Sequence, residues 1–190
     1  MSIPHKPAST DAKVHELIKN RWSTRSFDKN HQINDDEVLS ILEAARWAPS
    51  SKNSQPWKFL VGKRGDKNFE AFVSTLTGFN LEWAPKASAM ILVAAHGNPV
   101  TNDEIFDAGL AVSSITFQIH ALGLFAHQMA GFSKSKIKTI FNLDESTVPL
   151  VLVAVGKITN PDELSSELKE RELSPRSRKD LTDLMIPGLN

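Results

Sequence analysis

The apolar positions along the chain alternate between helical spacing and short unbroken runs. Val38, Ile41 and Ala45 recur every three or four residues, which predicts an amphipathic helix. Asn34 can cap this helix, and Glu37, three residues later, completes a capping box. The pattern therefore predicts a helix with a well-defined start.

The other apolar runs predict four strands and further helices in one α+β domain. Strands are expected over residues 57–61, 90–94, 124–130 and 149–156. Helices are expected over residues 11–20, 69–76, 101–123, 133–141 and 162–171, with a loop over 78–85. Residues 101–123 are apolar or small on almost every face, so we expect this helix to be buried all round, in the core or against a second subunit.

Composition excludes several classes of protein. The 190 residues are 41% hydrophobic, enough for one full core. Lys plus Arg and Asp plus Glu are 22 each, so no net field attracts nucleic acid or an anionic membrane. There are no cysteines, which excludes disulfides and thiolate chemistry. No apolar run approaches the ~18 residues of a membrane span, and no signal peptide is recognisable, so we expect a soluble, cytoplasmic protein.

A polar loop follows the first strong helix. Residues 48–57, Ala-Pro-Ser-Ser-Lys-Asn-Ser-Gln-Pro-Trp, carry three serines, an asparagine and a glutamine between two prolines. These side chains donate and accept hydrogen bonds, and they include no acid or thiol. Such a loop suits the polar edge of a flat heteroaromatic ring better than nucleophilic catalysis, although a plain turn-forming loop has the same composition.

Arginines occur in pairs near both ends of the chain. Arg21 and Arg25 flank Ser23, and Arg176 and Arg178 alternate in a segment that we expect to be extended. The planar guanidinium matches phosphate geometry, so either pair can bind an anion. Each pair alone is equally typical of a solvated basic surface.

Several catalytic motifs are absent from the sequence. There is no Gly-x-Gly dinucleotide fingerprint, no Walker loop and no Gly-x-Ser-x-Gly elbow. The six histidines are scattered; His120 and His127 could share a helix face, but no carboxylate accompanies them at ligand spacing, so no metal site is predicted. Paired acids such as Asp35 and Asp36 fall at helix starts, where the helix dipole explains them.

The polar loop and the N-terminal arginines resemble two motifs of the FMN-dependent nitroreductase family. Residues 48–57 resemble its Ala-Pro-Ser-Ser-x-Asn-x-Gln-Pro-Trp signature, and residues 21–27 resemble its Arg-x-Ser-x-Arg/Lys-x-Phe motif. The resemblance implies an α+β fold with a mostly antiparallel sheet of about four to five strands flanked by helices. It also implies a homodimer whose interface contains the long central helix, with FMN bound between the subunits.

The resemblance also implies roles for individual residues and for the chain ends. The phosphate and ribityl chain would contact the 21–25 motif and the C-terminal arginines, and Trp22 departs from the family's usual residue. The loop would line the ring from the partner subunit, Asn80 would meet the pyrimidine edge, and a backbone N–H of the 129–131 turn would reach flavin N5. Trp83 stands where some members have a lysine near the flavin. The implied cofactor-binding residues are Arg21, Trp22, Ser23, Arg25, Pro49, Ser50, Ser51, Asn53, Asn80, Met129, Ala130, Gly131, Arg176 and Arg178.

The implied function is FMN-dependent oxidation of NADH or NADPH with reduction of nitroaromatics, quinones or similar planar acceptors, by ping-pong hydride transfer. Two alternatives stay open: a flavoenzyme of the same fold with other chemistry, such as reductive dehalogenation or flavin fragmentation, and a flavin-binding protein without activity. The domain is expected to span residues 1–190. Residues 1–10 are expected to be flexible, and residues 160–190 are expected to form a C-terminal extension that contributes to the cofactor site.

Overall fold

The structure, a computed structural model, describes residues 2–188 and contains one four-stranded antiparallel sheet with helices on both faces. The strands are β1 (Trp57–Lys63), β2 (Ala89–His96), β3 (Phe125–Met129) and β4 (Thr147–Gly156). The helices are α1 (Glu16–Asn20), α2 (Asp35–Arg46), α3 (Lys67–Thr75), α4 (Asn80–Trp83), α5 (Asn102–Ala121), α6 (Lys134–Ile140) and α7 (Ser166–Leu173). Short 3-10 turns cover Ser51–Asn53, Ala84–Lys86, Pro161–Glu163 and Leu181–Leu184.

The sheet order is β1-β2-β4-β3, and all three pairings are antiparallel. The central strands β2 and β4 are almost wholly buried, which explains why their sequences read as unbroken apolar runs. The four predicted strands are therefore confirmed, together with the α+β class.

Two hydrophobic cores lie on the two faces of the sheet. On one face Ile91, Val93 and Val153 pack against α2 and α5. On the other, Leu92 and Leu152 pack among the aromatic side chains of α3 and the segment 79–87. Because successive side chains of a strand point to opposite faces, neighbouring residues of β2 belong to different cores.

The two longest helices begin with the caps that their sequences predict. Asn34 accepts a hydrogen bond from the Glu37 N–H, and the Glu37 carboxylate accepts one from the Asn34 N–H. Thr101 and Glu104 form the same box at the start of α5. These local bonds fix where α2 and α5 begin.

Several predicted boundaries are wrong. The first helix covers only Glu16–Asn20. The apolar residues Val14 and Leu17 form too short an apolar face to stabilise a longer helix. Residues 78–85, expected as a loop, contain α4 and part of the turn Ala84–Lys86. The charged helix expected over 162–171 divides into the turn Pro161–Glu163 and α7.

Helix α5 is not buried all round in the single chain. Its inward face is buried through Ala111, Ile115 and Ile119, whereas Phe106 is 68% exposed and Ile105 is 42% exposed. The expectation of complete burial is therefore wrong for one chain by itself, and the outer face of α5 is an exposed apolar surface.

Part of the N-terminal segment, residues 1–10, makes contacts with the rest of the chain, and its flexibility stays a prediction. The Ala8 N–H donates to the Lys19 carbonyl over 2.8 Å, and Lys6 bonds both to the Glu172 carbonyl and to Arg176. This segment therefore lies against α1 and the C-terminal extension. Within the described chain, no helix has the length and apolar character that crossing a membrane requires.

Candidate functional site

The Arg21–Phe27 segment runs along the edge of the fold in extended conformation, and its alternate residues are buried. Trp22 is buried with its ring edge against Phe125, and Thr24 and Ser26 are buried beside it. This alternation leaves Arg21, Ser23 and Arg25 partly exposed on the same side of the segment. The side chains that can bind an anion therefore point outward together, while Trp22 packs in the core.

The C-terminal extension meets this segment. The Arg176 guanidinium donates from Nη1 to the carbonyls of Lys6 and Lys19, each at 2.9 Å. Arg178 donates to the neighbouring Ser177 carbonyl. Arg176 therefore holds the C-terminal extension against the N-terminal segment. Because some of its N–H donors are used in this way, Arg178 is better placed than Arg176 to donate to a ligand.

Five cations from three separate segments form a basic cluster: Lys6, Arg21, Arg25, Arg176 and Arg178. Burial lowers the pKa of Arg21, and the nearby charges of Arg176 and Arg178 lower it further. Burial also lowers the pKa of Lys6. The charge of Glu172 raises this pKa, and the charges of Arg25 and Arg176 lower it further. The cations therefore lie close enough for their charges to lower the pKa values of Arg21 and Lys6, and an anion placed among them would relieve this repulsion.

A cavity of about 270 Å³ opens beside this cluster, between the N-terminal segment at Ala8, Ser9 and Asp11 and residues 176–180. The C-terminal extension is thus part of a concave surface. The lining of this cavity combines the cations Arg176, Arg178 and Lys179 with the acids Asp11 and Asp180.

The loop after α2 has an unusual backbone. The backbone has positive φ values of 49–57° at Lys52, Asn53 and Gln55, a conformation that residues other than glycine seldom adopt. Ser50 accepts a hydrogen bond from the Gln55 N–H, which closes the loop on itself. The loop is therefore held in one shape although its side chains are exposed.

Asp107 of α5 anchors the same loop. Its carboxylate is 4% exposed and accepts the Ser51 N–H at 2.9 Å. A cavity of about 350 Å³ lies between the loop residues Pro49–Ser51 and the α5 residues Phe106 and Leu110. The loop thus sits at the edge of the exposed apolar face of α5.

The turn after β3 brings Asn80 and Gly131 together. The Asn80 Nδ2 donates to the Gly131 carbonyl at 3.1 Å, and the Thr77 N–H donates to the same carbonyl at 3.0 Å. A Cβ at position 131 would lie 2.7 Å from Asn80 Nδ2, so glycine is what permits this approach. Ala130 is exposed, whereas the Met129 side chain is 2% exposed and packs in the core.

The predicted cofactor-binding residues fall into three groups in the structure. The members of two groups lie close together, and the third group, the polar loop, lies apart from the other two. Arg21, Arg25, Arg176 and Arg178 meet in the basic cluster, and Asn80 meets Gly131. Within residues 2–188, no hydrogen bond, ion pair or ring contact joins the loop 49–53 to either group. Trp83, which stands where some family members have a lysine near the flavin, is 1% exposed; its ring stacks on Phe27 and packs at a tilt against His127.

Sequence reasoning missed three residues that hold these segments: Glu172, Asp107 and His127. The first two are acids in otherwise inward-facing helical stripes, Leu168–Glu172 in α7 and Asp107–Ala111–Ile115 in α5. An acid at a core position of a helix is the signal that could have identified them. His127 lies in β3, as the strand predicted over residues 124–130 requires, so it does not share a helix face with His120 in α5.

His127 supports the Arg21–Phe27 segment from beneath. Its Nδ1 lies 2.8 Å from the Thr24 carbonyl, which requires that Nδ1 carries the proton. Burial lowers the pKa of His127 to about 4. The hydrogen bond to the Thr24 carbonyl opposes this shift, and the charge of Arg25 adds to it. The imidazole is therefore neutral at physiological pH and serves as a hydrogen-bond donor.

This pKa shift predicts acid sensitivity. The unfolded chain binds a proton at this residue below pH ~6.5, whereas the folded protein does so only near pH 4. The free energy of unfolding should therefore fall between these values by up to about 3 kcal/mol. His127→Asn retains a donor near the Nδ1 position and removes the titration. The free energy of unfolding, measured by urea denaturation from pH 7 to pH 4, should fall less steeply in the variant than in the wild type. Equal pH dependence of the two proteins would contradict this account.

Together the fold and the site define an α+β protein with a cluster of cations from both chain ends and a polar loop beside an exposed helix face. The nitroreductase family model matches residues 18–77, which include the Arg21–Phe27 segment and the polar loop. The crystal structure of an oxidoreductase containing FMN is 33% identical, with a TM-score of 0.88 over 95% of this chain and 94% of that one. The chain belongs to the nitroreductase family.

Two further relatives span most of the chain. YdgI of Bacillus subtilis (strain 168), named as an NAD(P)H nitroreductase, is 28% identical over 183 residues, covering 75% of this chain and 87% of its own. A Desulfovibrio desulfuricans protein, named as a nitroreductase and solved in complex with FMN, is 25% identical with a TM-score of 0.75. That match covers 95% of this chain and 99% of the other.

Proposed function

We propose that this protein is an FMN-dependent NAD(P)H oxidoreductase that reduces nitroaromatics, quinones or similar planar acceptors. The observation that carries the proposal is the basic cluster, in which cations from positions 6, 21, 25, 176 and 178 meet. The chain has no glycine-rich phosphate loop, so a phosphorylated cofactor has to be held by side chains such as these. The FMN complexes of related structures support the same cofactor.

The described residues fit FMN at both of its ends. Arg21, Arg25 and Arg178 would hold the phosphate, since their guanidinium groups retain donors that no protein acceptor in residues 2–188 occupies. The backbone of residues 130–131 and the Asn80 amide would border the ring. Asn80 lies so close to Gly131 that position 131 carries no side chain, which leaves its backbone accessible to a ligand. When bound, FMN supplies the hydride transfer, while the protein supplies binding and orientation.

The shared use of one ring face by nicotinamide and acceptor gives the test of activity. The purified protein should be yellow, and its colour should bleach on anaerobic addition of NADH or NADPH. Initial rates at several acceptor concentrations should give parallel double-reciprocal lines, because the two substrates occupy the same place in turn. A yellow protein that neither nicotinamide bleaches would overturn the oxidoreductase assignment, and intersecting lines would overturn the shared site.

The proposal includes a homodimer with the polar loop of one subunit over the flavin of the other. The exposed apolar face of α5, with Phe106 and Ile105, supplies an interface, and the loop residues Ser50 and Ser51 lie next to it. Trp47, at the end of α2 and directly before the loop in the sequence, is a further apolar side chain that is 75% exposed. Removal of such side chains from water is the main driving force of association.

Phe106→Glu tests the dimer. A charge in the middle of an apolar interface should shift the protein to a monomer at micromolar concentration, because the carboxylate would lose its water on association. The flavin should be lost in parallel, since the loop comes from the partner. Light scattering and the flavin absorbance of the same fractions measure both. Glu70→Gln on exposed α3 is the control; a monomeric wild type, or a Phe106→Glu dimer with full flavin, would contradict the arrangement.

A further inference from the structure

We propose that Glu172 is a positioning residue that fixes the Thr24–Arg25 segment so that the basic cluster can bind a phosphate monoester. The inference rests on the proposed function and adds to it a residue that does not itself touch the ligand. It follows from the contacts of Glu172, from its place in α7 and from its charge.

The Glu172 carboxylate is 0% exposed and receives donors from the segment that carries Arg25. The Arg25 N–H lies 3.1 Å from Oε1 and 3.0 Å from Oε2, and the Thr24 hydroxyl donates to Oε1. The Arg25 Nη1 lies 3.8 Å from Oε2. One buried carboxylate therefore sets both the backbone and the side-chain direction of Arg25.

Helix stability does not explain an acid at this position. Glu172 is the penultimate residue of α7, where the helix dipole disfavours negative charge. It lies one turn after Leu168, and these two are the buried residues of α7, so an apolar side chain would suit the position better. A buried carboxylate costs free energy unless donors surround it, and here the donors all belong to or flank the anion-binding segment.

Its charge also suits the cluster that lies above it. The guanidinium groups of Arg21, Arg176 and Arg178 repel one another, as the lowered pKa of Arg21 indicates. Glu172 acts on two other cations of the cluster: its charge raises the pKa of Lys6 against the effect of burial, and its Oε2 lies 3.8 Å from the Arg25 Nη1. One buried acid beside five cations still leaves an excess of positive charge for a phosphate.

Glu172 further joins the two chain ends. Its backbone carbonyl accepts the Lys6 Nζ at 2.7 Å, and Lys6 in turn accepts Arg176 on its own carbonyl. The C-terminal extension, the N-terminal segment and the 24–25 segment thus meet at one residue. Replacement of the Glu172 side chain keeps this backbone carbonyl but removes the bonds to Thr24 and Arg25, so it should loosen the phosphate end of the site and leave the ring end unchanged.

Paired titrations with FMN and riboflavin test this role, because the two ligands differ only in the phosphate. The measured quantity is the ratio of the riboflavin Kd to the FMN Kd, determined by fluorescence quenching with the full-length apoprotein. In Glu172→Ala the ratio should fall at least tenfold, with riboflavin affinity within twofold of wild type. Glu172→Gln, which keeps the volume and one acceptor, should give a smaller fall. Glu170→Ala, on the exposed side of the same helix, is the control and should leave the ratio unchanged.

Each outcome decides the inference. A high wild-type ratio that both Glu172 variants retain would overturn the positioning role and leave the proposed phosphate site intact. Equal weakening of FMN and riboflavin would show that Glu172 is only structural and would also overturn it. A wild-type ratio near one would overturn the phosphate site itself, and the inference with it. If Glu172→Ala does not fold, the ratio measured with Glu172→Gln decides.

Discussion

FMN should be lost on dialysis when Arg21 and Arg178 are both replaced by alanine. Their guanidinium groups belong to the basic cluster and, in the described part of the chain, form no ion pair with an acid. A hydrogen bond between charged partners contributes about 1.5–3 kcal/mol. The double substitution should therefore weaken FMN binding by roughly a hundredfold or more. The flavin absorbance retained per protein after dialysis measures the effect.

The control for this experiment removes the same charge elsewhere. Lys67 and Lys157 are exposed and lie outside the basic cluster, so their double replacement by alanine should change FMN affinity by about threefold at most. Arg176→Ala should weaken FMN and also lower stability, because Arg176 bonds the carbonyls of Lys6 and Lys19. Full flavin retention by the Arg21 and Arg178 double variant would contradict the assignment of the phosphate site.

Gly62→Ala should unfold or severely destabilise the protein. The new Cβ would lie 2.4 Å from the backbone nitrogen of Phe69 and 2.7 Å from its Cα, and a third contact, at 2.8 Å, falls on the carbonyl carbon of Asn68. These atoms belong to the backbone of α3, which cannot yield as a side chain does. We expect a loss of at least about 3 kcal/mol in the free energy of unfolding, a large part of the usual total. Urea denaturation measures it.

Gly156→Ala is the matched comparison, since it adds the same methyl group to another strand. Its new Cβ would lie 3.0 Å from a ring carbon of Phe27 and 3.1 Å from Ser88, contacts that small movements relieve. We expect a loss of about 1–2 kcal/mol there. Equal stability of Gly62→Ala and wild type would contradict the packing of α3 on β1.

Much of the fold follows from local pattern. The capping boxes at Asn34 and Thr101 fix the two longest helices, and the unbroken apolar runs identify β2 and β4. These signals are reliable because each is contained in a few consecutive residues. The start of α1 was predicted too early and α4 was not predicted for the opposite reason: tertiary contacts, more than their own sequences, define such short helices.

The candidate site could be predicted only in part. The motifs identify Arg21, Arg25 and the loop 48–57, and the family resemblance relates them to Arg176 and Arg178. The local sequence gave no indication that Arg176 would bond the carbonyls of Lys6 and Lys19, because those contacts span more than 150 positions. The same distance concealed Glu172, whose donors lie 147 and 148 residues away.

The residues that hold the site differ from those that would touch the ligand. Glu172 and His127 bond to the 24–25 segment, and Asp107 bonds to Ser51. Asp107 and Glu172 are buried and His127 is half-buried, and each bonds to backbone, so each fixes a segment and leaves the exposed side chains of that segment free to bind. This division follows from physical chemistry, because a group whose hydrogen bonds are already satisfied can orient its neighbours without competing for the ligand.

A crystal structure of the protein grown with FMN tests the central claim most directly. We expect the phosphate oxygens within about 2.7–3.2 Å of guanidinium nitrogens of Arg21, Arg25 or Arg178, the ring beside Gly131, and Ser50 or Ser51 of a second subunit against it. A flavin phosphate in bulk solvent, with these arginines turned away from it, or a ring bound elsewhere on the chain, would contradict the account.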